Sequence, residues 1–276
     1  MGFTRWGEVD DAKLNVCVWR KTTAVTAVAS QWYDDSQLAG YPPAQFYASE
    51  PLVAATLAAN KGIRHWTQGH GASEHLLSMA VWGNAGTLEA PAQFVIADWL
   101  LYYPFVDGDS VDLQEFDNTV TLPRYTDGKG LRAFIVALGP GVTTGTYTLS
   151  YTNQDGTAGR TATGNVVLPT AAGFVLTSPG AASRHAPFVG LQGTDTGIRS
   201  VESFTWTVAP GGIAAIVLVK PLASFLYAEI GTYAETTWWP RMPEVADGAC
   251  LHLLRHQTGA TPAARTFGGM LTTIRS

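Results

Sequence analysis

The chain has 276 residues, of which 46% are hydrophobic and only 14% charged, against roughly 25% charged in an average soluble protein. That apolar content, with 9 Trp, 10 Tyr and 11 Phe, offsets the chain entropy lost on folding and excludes wholesale disorder. A net charge of −5 supplies no field that would draw in phosphate backbones or an anionic bilayer, so neither nucleic acid nor a membrane is expected as a partner.

Leu14-Asn15-Val16-Cys17-Val18-Trp19 is β-branched and aromatic in character and predicts a strand. Ala24 to Ala29 reads as a second short strand or a turn region. Tyr33-Asp34-Asp35-Ser36 through Gly40-Tyr41-Pro42-Pro43 strings turn formers together and predicts a surface loop. Pro51 then opens a short helix in which Leu52, Val53, Thr56 and Leu57 share a face, with Asn60-Lys61-Gly62 as its stop. Ser73-Glu74-His75-Leu76-Leu77 fits the start of either a helix or a strand.

From Ala92 to Val219 the pattern is consistently β, with strands expected over 94–96, 99–103, 119–122, 131–138, 146–152, 160–168, 174–176, 203–208 and 213–219. Asp-Gly at 107–108, 127–128 and 155–156, and Gly-Gly at 211–212, mark tight turns, because glycine reaches positive φ without a Cβ clash. The clearest strand places Tyr147, Leu149 and Tyr151 on one face and Thr148, Ser150 and Thr152 on the other. Beyond Pro221 come Phe225 to Ile230, and a late strand or helix over Ala249 to Leu254. The tail 257–276 is small and polar, so partial disorder or docking on a neighbour is expected.

Strand spacing of roughly 10–15 residues predicts two packed sheets. The fold class expected is mainly β: a β-sandwich or jelly-roll-like core with a mixed N-terminal region and short helices. The division expected is a mixed region with a docking arm over 1–90, the core over 91–222, and an extension over 223–276 that packs on the core or a neighbour.

Few patterns carry chemistry. His65, His70 and His75 recur every five residues, a step of roughly 140° on an ideal helix, so they do not converge on a metal. The acidic run Asp107-Gly108-Asp109-Ser110-Val111-Asp112, followed by Glu115 and Asp117, has Val111 where a Ca²⁺ loop needs an oxygen ligand and reads as a solvated turn. Gly71-Ala72-Ser73-Glu74-His75 lacks the final glycine of a nucleophile elbow, and the glycine-rich turns lack the Lys-Ser/Thr of a phosphate loop. No enzyme activity, metal or cofactor is expected. Two cysteines, Cys17 and Cys250, are too few for a disulfide framework and read as free, buried thiols. The N-terminus lacks the basic-then-apolar order of a secretory signal, and no stretch reaches the roughly 18 apolar residues of a membrane span.

Trp238-Trp239-Pro240-Arg241 is the expected subunit contact. Adjacent tryptophans on a strand face opposite sides, and Trp and Arg dominate protein interfaces. Trp238, Trp239 and Arg241 are therefore the candidate residues.

The run Trp99 to Asp109, then Asp117-Asn118-Thr119-Val120-Thr121-Leu122-Pro123-Arg124-Tyr125-Thr126-Asp127-Gly128, resembles virion structural proteins of tailed bacteriophages. Tyr151 to Gly156, Gly211 to Pro221 and Asp247-Gly248-Ala249 extend the resemblance across about residues 95–250. It implies a non-catalytic virion protein, a capsid decoration or cement protein before a tail or adaptor component. It also implies partners that are copies of itself, as a dimer or trimer, and other virion proteins, chiefly the major capsid protein, with assembly in the host cytoplasm. The contrasting class is a carbohydrate-binding β-sandwich for host attachment, with a groove joining aromatics to two carboxylates.

Overall fold

The computed structural model describes residues 13–23, 27–66, 73–83, 91–168, 171–178, 187–227, 233–259 and 265–275. Their strands pair antiparallel into three sheets, and the helical elements are single 3-10 turns at Asp35–Gln37 and Ala59–Lys61. The chain is mainly β, as its alternating patterns predict. The central sheet runs β2 (Gln31–Asp34), β16 (Leu251–Gln257), β6 (Ala92–Asp107), β13 (Ile213–Tyr227) and β8 (Arg132–Ala137), with β4 (Ala55–Thr56) also on β6. The second sheet runs β14 (Tyr233–Thr237), β5 (Glu74–Gly83), β17 (Thr266–Arg275), β1 (Leu14–Thr22) and β3 (Ala39–Tyr41), with β15 (Glu244–Val245) also on β5. The third runs β11 (Thr177–Ser178), β10 (Arg160–Val166), β9 (Gly145–Asn153), β12 (Ile198–Val208) and β7 (Gln114–Glu115).

The length of β6 and β13 sets the architecture, because both sheets pack side by side on the face these two strands share. Phe94 and Ile96 of β6 and Phe225 and Tyr227 of β13 meet Trp19, Leu76, Met79, Val81 and Leu271 of the second sheet. Farther along, Leu101, Tyr103, Ile216 and Leu218 meet Tyr147, Leu149, Tyr151, Phe204 and Trp206 of the third. A bulge joins the halves: Leu218 pairs with Leu101 but Val219 with Trp99, so Leu100 is an extra residue. The opposite face of the central sheet carries Trp99, Phe134, Val136, Val217 and Val219, covered by Trp32, Tyr47 and Val175. With apolar residues buried on both faces, β6 and β13 read as near-continuous hydrophobic runs.

Asp98 lies at the join of the two sandwiches and is fully buried. Arg124 holds it with two bonds, Nε to Oδ2 at 2.8 Å and Nη2 to Oδ1 at 2.6 Å, and the Cys250 amide donates to Oδ1 at 2.8 Å. Burial pushes the Asp98 carboxyl above its usual range, and Arg124 offsets only part of that.

Four segments differ from the sequence-based expectation. The segment Tyr33 to Pro43 reaches the surface only in its second half: Tyr33, Asp34, Asp35 and Ser36 are buried, whereas Ala39–Tyr41 is exposed and forms the strand β3 in place of a loop. Residues 51–61 form no α-helix: Leu52 sits at φ +60°, the Ala54 amide donates to the Asp117 carbonyl, and β4 pairs with Tyr102 and Leu101. Backbone bonding to a neighbour has replaced the local helical bonds there, a tertiary override of a weak helical signal. Residues 119–122 form no strand and run as bends beside the sandwich. The tail contributes β17, which lies between β5 and β1 in the second sheet. Of the Ala24 to Ala29 segment, 24–26 lie outside the described residues, and Ala27 forms an isolated bridge.

The buried acidic pair is explained by its surroundings. The Asp35 carboxylate meets Arg255 Nε at 3.2 Å to each oxygen, while Asp34 accepts from the Tyr47 hydroxyl and, at 2.9 Å, from the Ser36 amide. Lys21 Nζ donates to the carbonyls of Leu38 and Pro42 at 3.1 and 2.7 Å. Burial pushes Asp35 up to about 6, with Arg255 and Lys21 offsetting part of the rise, and it pushes Lys21 down to about 8 against the pull of Asp35 and Asp34.

These shifts fix the sign of the pH dependence. Unfolded Asp titrates near ~3.9, so between pH ~4 and about 6 the native state keeps a proton on Asp35 that the unfolded chain has lost. The stability that Asp35 contributes must fall as pH rises through that window. Lys21 acts in the opposite sense only above about 8, where the native state has already lost a proton the unfolded chain retains. Buried His252, held well below the usual imidazole range by burial, acts in the opposite sense over the same interval, so the Asp35 contribution is read by difference: wild type should lose on the order of 5 °C of Tm relative to Asp35→Asn between pH 5 and pH 7.5. A difference between the two proteins that stays constant over that interval would contradict the assignment of the buried pair.

Candidate interaction surface

In an antiparallel sheet with one face on a core, the other face is normally polar. The third sheet follows the rule. Its outward rows join Thr163, Thr148 and Thr205, and Thr161, Ser150 and Ser203, and Glu202 there accepts from the Ser150 and Thr152 hydroxyls and the Gly159 amide. Those bonds hold the Glu202 carboxyl below its usual range against the opposing effect of burial.

The second sheet does not follow it. Trp19 and Lys21 of β1 point inward and are buried, so Val16, Val18 and Arg20 point outward, with both valines 54% exposed. The register then builds three rows across β14, β5, β17 and β1. The first row is Tyr233, Trp82, Gly268 and Arg20; the second Glu235, Ala80, Met270 and Val18; the third Thr237, Ser78, Thr272 and Val16. Trp82 and Tyr233 are 36% and 55% exposed. The first row is stepped, because Gly268 leaves a shallow groove between Trp82 and Arg20, lined also by Val18 and Thr266. A side chain cannot fill it cheaply, since a Cβ on Gly268 would lie 2.8 Å from the Trp19 carbonyl oxygen.

Charge within these three rows is confined to their two ends. Arg20 on β1 has no ion-pair partner among the described residues. Glu235 on β14 accepts a hydrogen bond from the Tyr233 hydroxyl at 3.0 Å.

The sequence-predicted contact residues border the same sheet. Trp238 and Trp239 directly follow β14 and are half-buried, with Trp238 packed against the core beneath the second sheet, while Arg241 is exposed. The Trp238 amide and the Thr237 hydroxyl both donate to the Leu77 carbonyl of β5, at 2.9 and 3.1 Å. That end of the outward face is thereby anchored. Trp82, Tyr233, Val16, Val18 and Met270 have no counterpart among the sequence candidates.

The remaining candidates are dispersed. His65 bonds Glu74 through Nδ1 and the Ala249 carbonyl through Nε2, both at 2.8 Å. Two acceptors require two N–H donors, so this histidine is held as imidazolium; burial opposes the charge, and Glu74 outweighs it and raises the pKa. His75 is half-buried on β5, and His70 lies outside the described residues. No group of three His, Cys, Asp or Glu side chains converges on a metal position among the described residues. The acidic run ends in local caps: Asp107 Oδ1 accepts from the Asp109 amide, and Asp117 Oδ1 from that of Thr119. Both cysteines are free thiols, Cys250 buried and Cys17 half-buried. No described helix is long and apolar enough to cross a membrane. The cleft lined by Asn118, Thr121, Thr126, Thr152 and Arg199 contains neither an aromatic side chain nor a carboxylate.

No family model matches the sequence, and no curated protein matches it. Among solved structures, the chain is similar to the VP2 subviral particle of infectious bursal disease virus, with a TM-score of 0.22, 11% identity, and 99% of this chain and 83% of that chain covered. The T=1 particles derived from the same virus give a TM-score of 0.20 at 10% identity, over 95% of this chain and 78% of that one. Likeness at this level assigns neither a fold family nor a role.

Proposed function

We propose that this chain is a non-catalytic structural protein of a virion, a decoration or cement protein that stabilises the head shell of a tailed bacteriophage. The observation that carries the reading is the outward face of the second sheet, where Val16, Val18, Trp82 and Tyr233 stand exposed. A sheet face of that composition is a contact surface. It accords with the resemblance of Trp99 to Asp109 and Asp117 to Gly128 to phage virion proteins, and with a low charge count spread over a large β-rich surface. Contacts of modest size suffice where a shell presents many copies, because avidity multiplies weak individual interfaces.

The test uses particles of the phage that encodes the chain. Purified protein added to expanded empty heads is expected to bind at micromolar concentration and to raise their melting temperature. Absence of the chain from purified virions, or heads that neither bind it nor gain stability, would refute the reading. Its appearance at the tail alone would leave a virion protein but exclude decoration.

A further inference from the structure

We infer that the outward face of the second sheet is a self-complementary interface, which closes on a second copy of this chain about a two-fold axis parallel to the strands, midway between β5 and β17. The same face carries the virion reading, so the dimer describes the free protein, and binding to a shell through this face would exchange the second copy for the shell; the inference itself does not rest on the virion assignment.

The argument starts from the order of strands. Strands are about 4.8 Å apart and alternate residues on one strand about 7 Å apart, so the three rows across β14, β5, β17 and β1 form a grid. A two-fold axis between the two inner strands lays β17 of one copy over β5 of the other, and β1 over β14, while each row meets itself. Trp82 then faces Gly268 of the second copy, and its indole enters the groove that the missing side chain leaves. In the next row Met270 faces Ala80, again a large residue over a small one, and in the third Thr272 faces Ser78.

Charges obey the same operation. Arg20 of one copy comes over Tyr233 of the other, with Glu235 one row away at about 7 Å, within reach of an arginine side chain. The contact occurs twice, as an isologous interface requires. Without the second copy, Arg20 has no carboxylate partner among the described residues. A translated or rotated stacking would set Trp82 against Met270 or Arg20 against itself.

Two twisted sheets stacked face to face pack at roughly −30°, so the rows meet with a slight rotation that long side chains absorb. The four strands and three rows cover about 20 by 20 Å on each copy, about 800 Å² for the pair, below the roughly 1,200 Å² at which standard specific interfaces begin, which makes the contact a weak one. The dimer should accordingly form in the micromolar range rather than the nanomolar.

The face competes with one other occupant, a flat glycan surface stacked on Trp82 and Tyr233. Steric pairing of large with small side chains and of Arg20 with Glu235 favours the second copy, because a sugar platform requires neither.

Sedimentation equilibrium on the full chain from about 5 to 500 μM is the test. Wild type is expected to shift from monomer to dimer. Trp82→Ala should weaken association at least ~10-fold, as loss of a central aromatic anchor does. Arg20→Glu and Glu235→Arg should each weaken it by a similar factor, and the double variant should return to within about 3-fold of wild type, since exchanging both charges restores the pair across the axis. Unchanged circular dichroism and Tm in each variant show that the sheet is intact. A wild-type monomer at every concentration, a trimer, or a dimer indifferent to all three substitutions would overturn the inference. So would binding to a glycan array that Trp82→Ala abolishes in a chain that stays monomeric.

Discussion

Arg124→Ala is expected to destabilise the protein by about 3–5 kcal/mol, the cost of leaving a buried charge without its partner. Asp98 has no access to water, and Arg124 supplies two of its three hydrogen bonds. The remaining donor, the Cys250 amide, cannot balance a full negative charge. At roughly 2–4 °C per kcal/mol for a chain of this size, Tm should drop by about 10 °C, and the loss should shrink at acidic pH as Asp98 takes up a proton. Asp98→Asn combined with Arg124→Met is expected to recover at least half of the loss, since Asn Oδ1 still accepts from Cys250 while no charge remains. A double variant as unstable as the single one would show that packing of the guanidinium, and not the stranded charge, explains the effect.

Gly269→Ala is the second large effect. A Cβ at this position would stand 2.1 Å from the Ala80 carbonyl oxygen and 2.7 Å from Cζ2 and Nε1 of Trp19. Trp19 is 1% exposed and wedged between Phe94 and Phe267 at 6.3 and 5.8 Å between ring centroids. Neither neighbour can yield: one is ladder backbone, the other a caged indole. Overpacking of this kind costs 1–3 kcal/mol or more, and with backbone on one side the upper end is expected, read as a Tm loss of at least ~6 °C. Gly139→Ala is the control, because a Cβ there meets nothing within 4 Å. Equal melting temperatures for the two variants would disprove the steric account.

The strand framework was largely written in local patterns. Tyr147 to Asn153 alternates in sequence and alternates buried and half-buried in the fold, because one face of β9 meets a core and the other meets water. The runs at 94–103 and 213–219 were legible as strands but not as single strands of 16 and 15 residues. Asp98 and Pro104 break the apolar run in sequence, whereas in the fold Arg124 pairs with Asp98 and the register shift between Ala214 and Ile216 takes up Pro104. Asp34 and Asp35 misled for a related reason. Turn-forming residues imply solvent only when nothing buries them, and the group that pairs with Asp35, Arg255, comes from a strand 220 residues away.

The candidate surface was half legible. Leu14 to Trp19 is apolar on both faces of a strand, Val16 and Val18 on one, Cys17 and Trp19 on the other, and that is a signal of contact on both sides. Nothing local indicated Trp82 and Tyr233, because their place beside Gly268 depends on pairing between segments about 150 to 190 residues apart. The tryptophan pair at 238–239 drew attention by composition, and Trp238 packs largely on the chain's own core.

The shared strands β6 and β13 have a mechanical consequence. They pair from Ala92 with Tyr227 to Asp107 with Ile213, with three register shifts along the way, and both sandwiches are built on the pair. Because the same two strands run through both sandwiches, a load that pulls one sandwich away from the other along them is carried by two covalent backbones and not by hydrogen bonds peeled one by one. The two halves therefore behave as a single beam, with the second sheet's exposed apolar face mounted at one end and the threonine-rich sheet at the other.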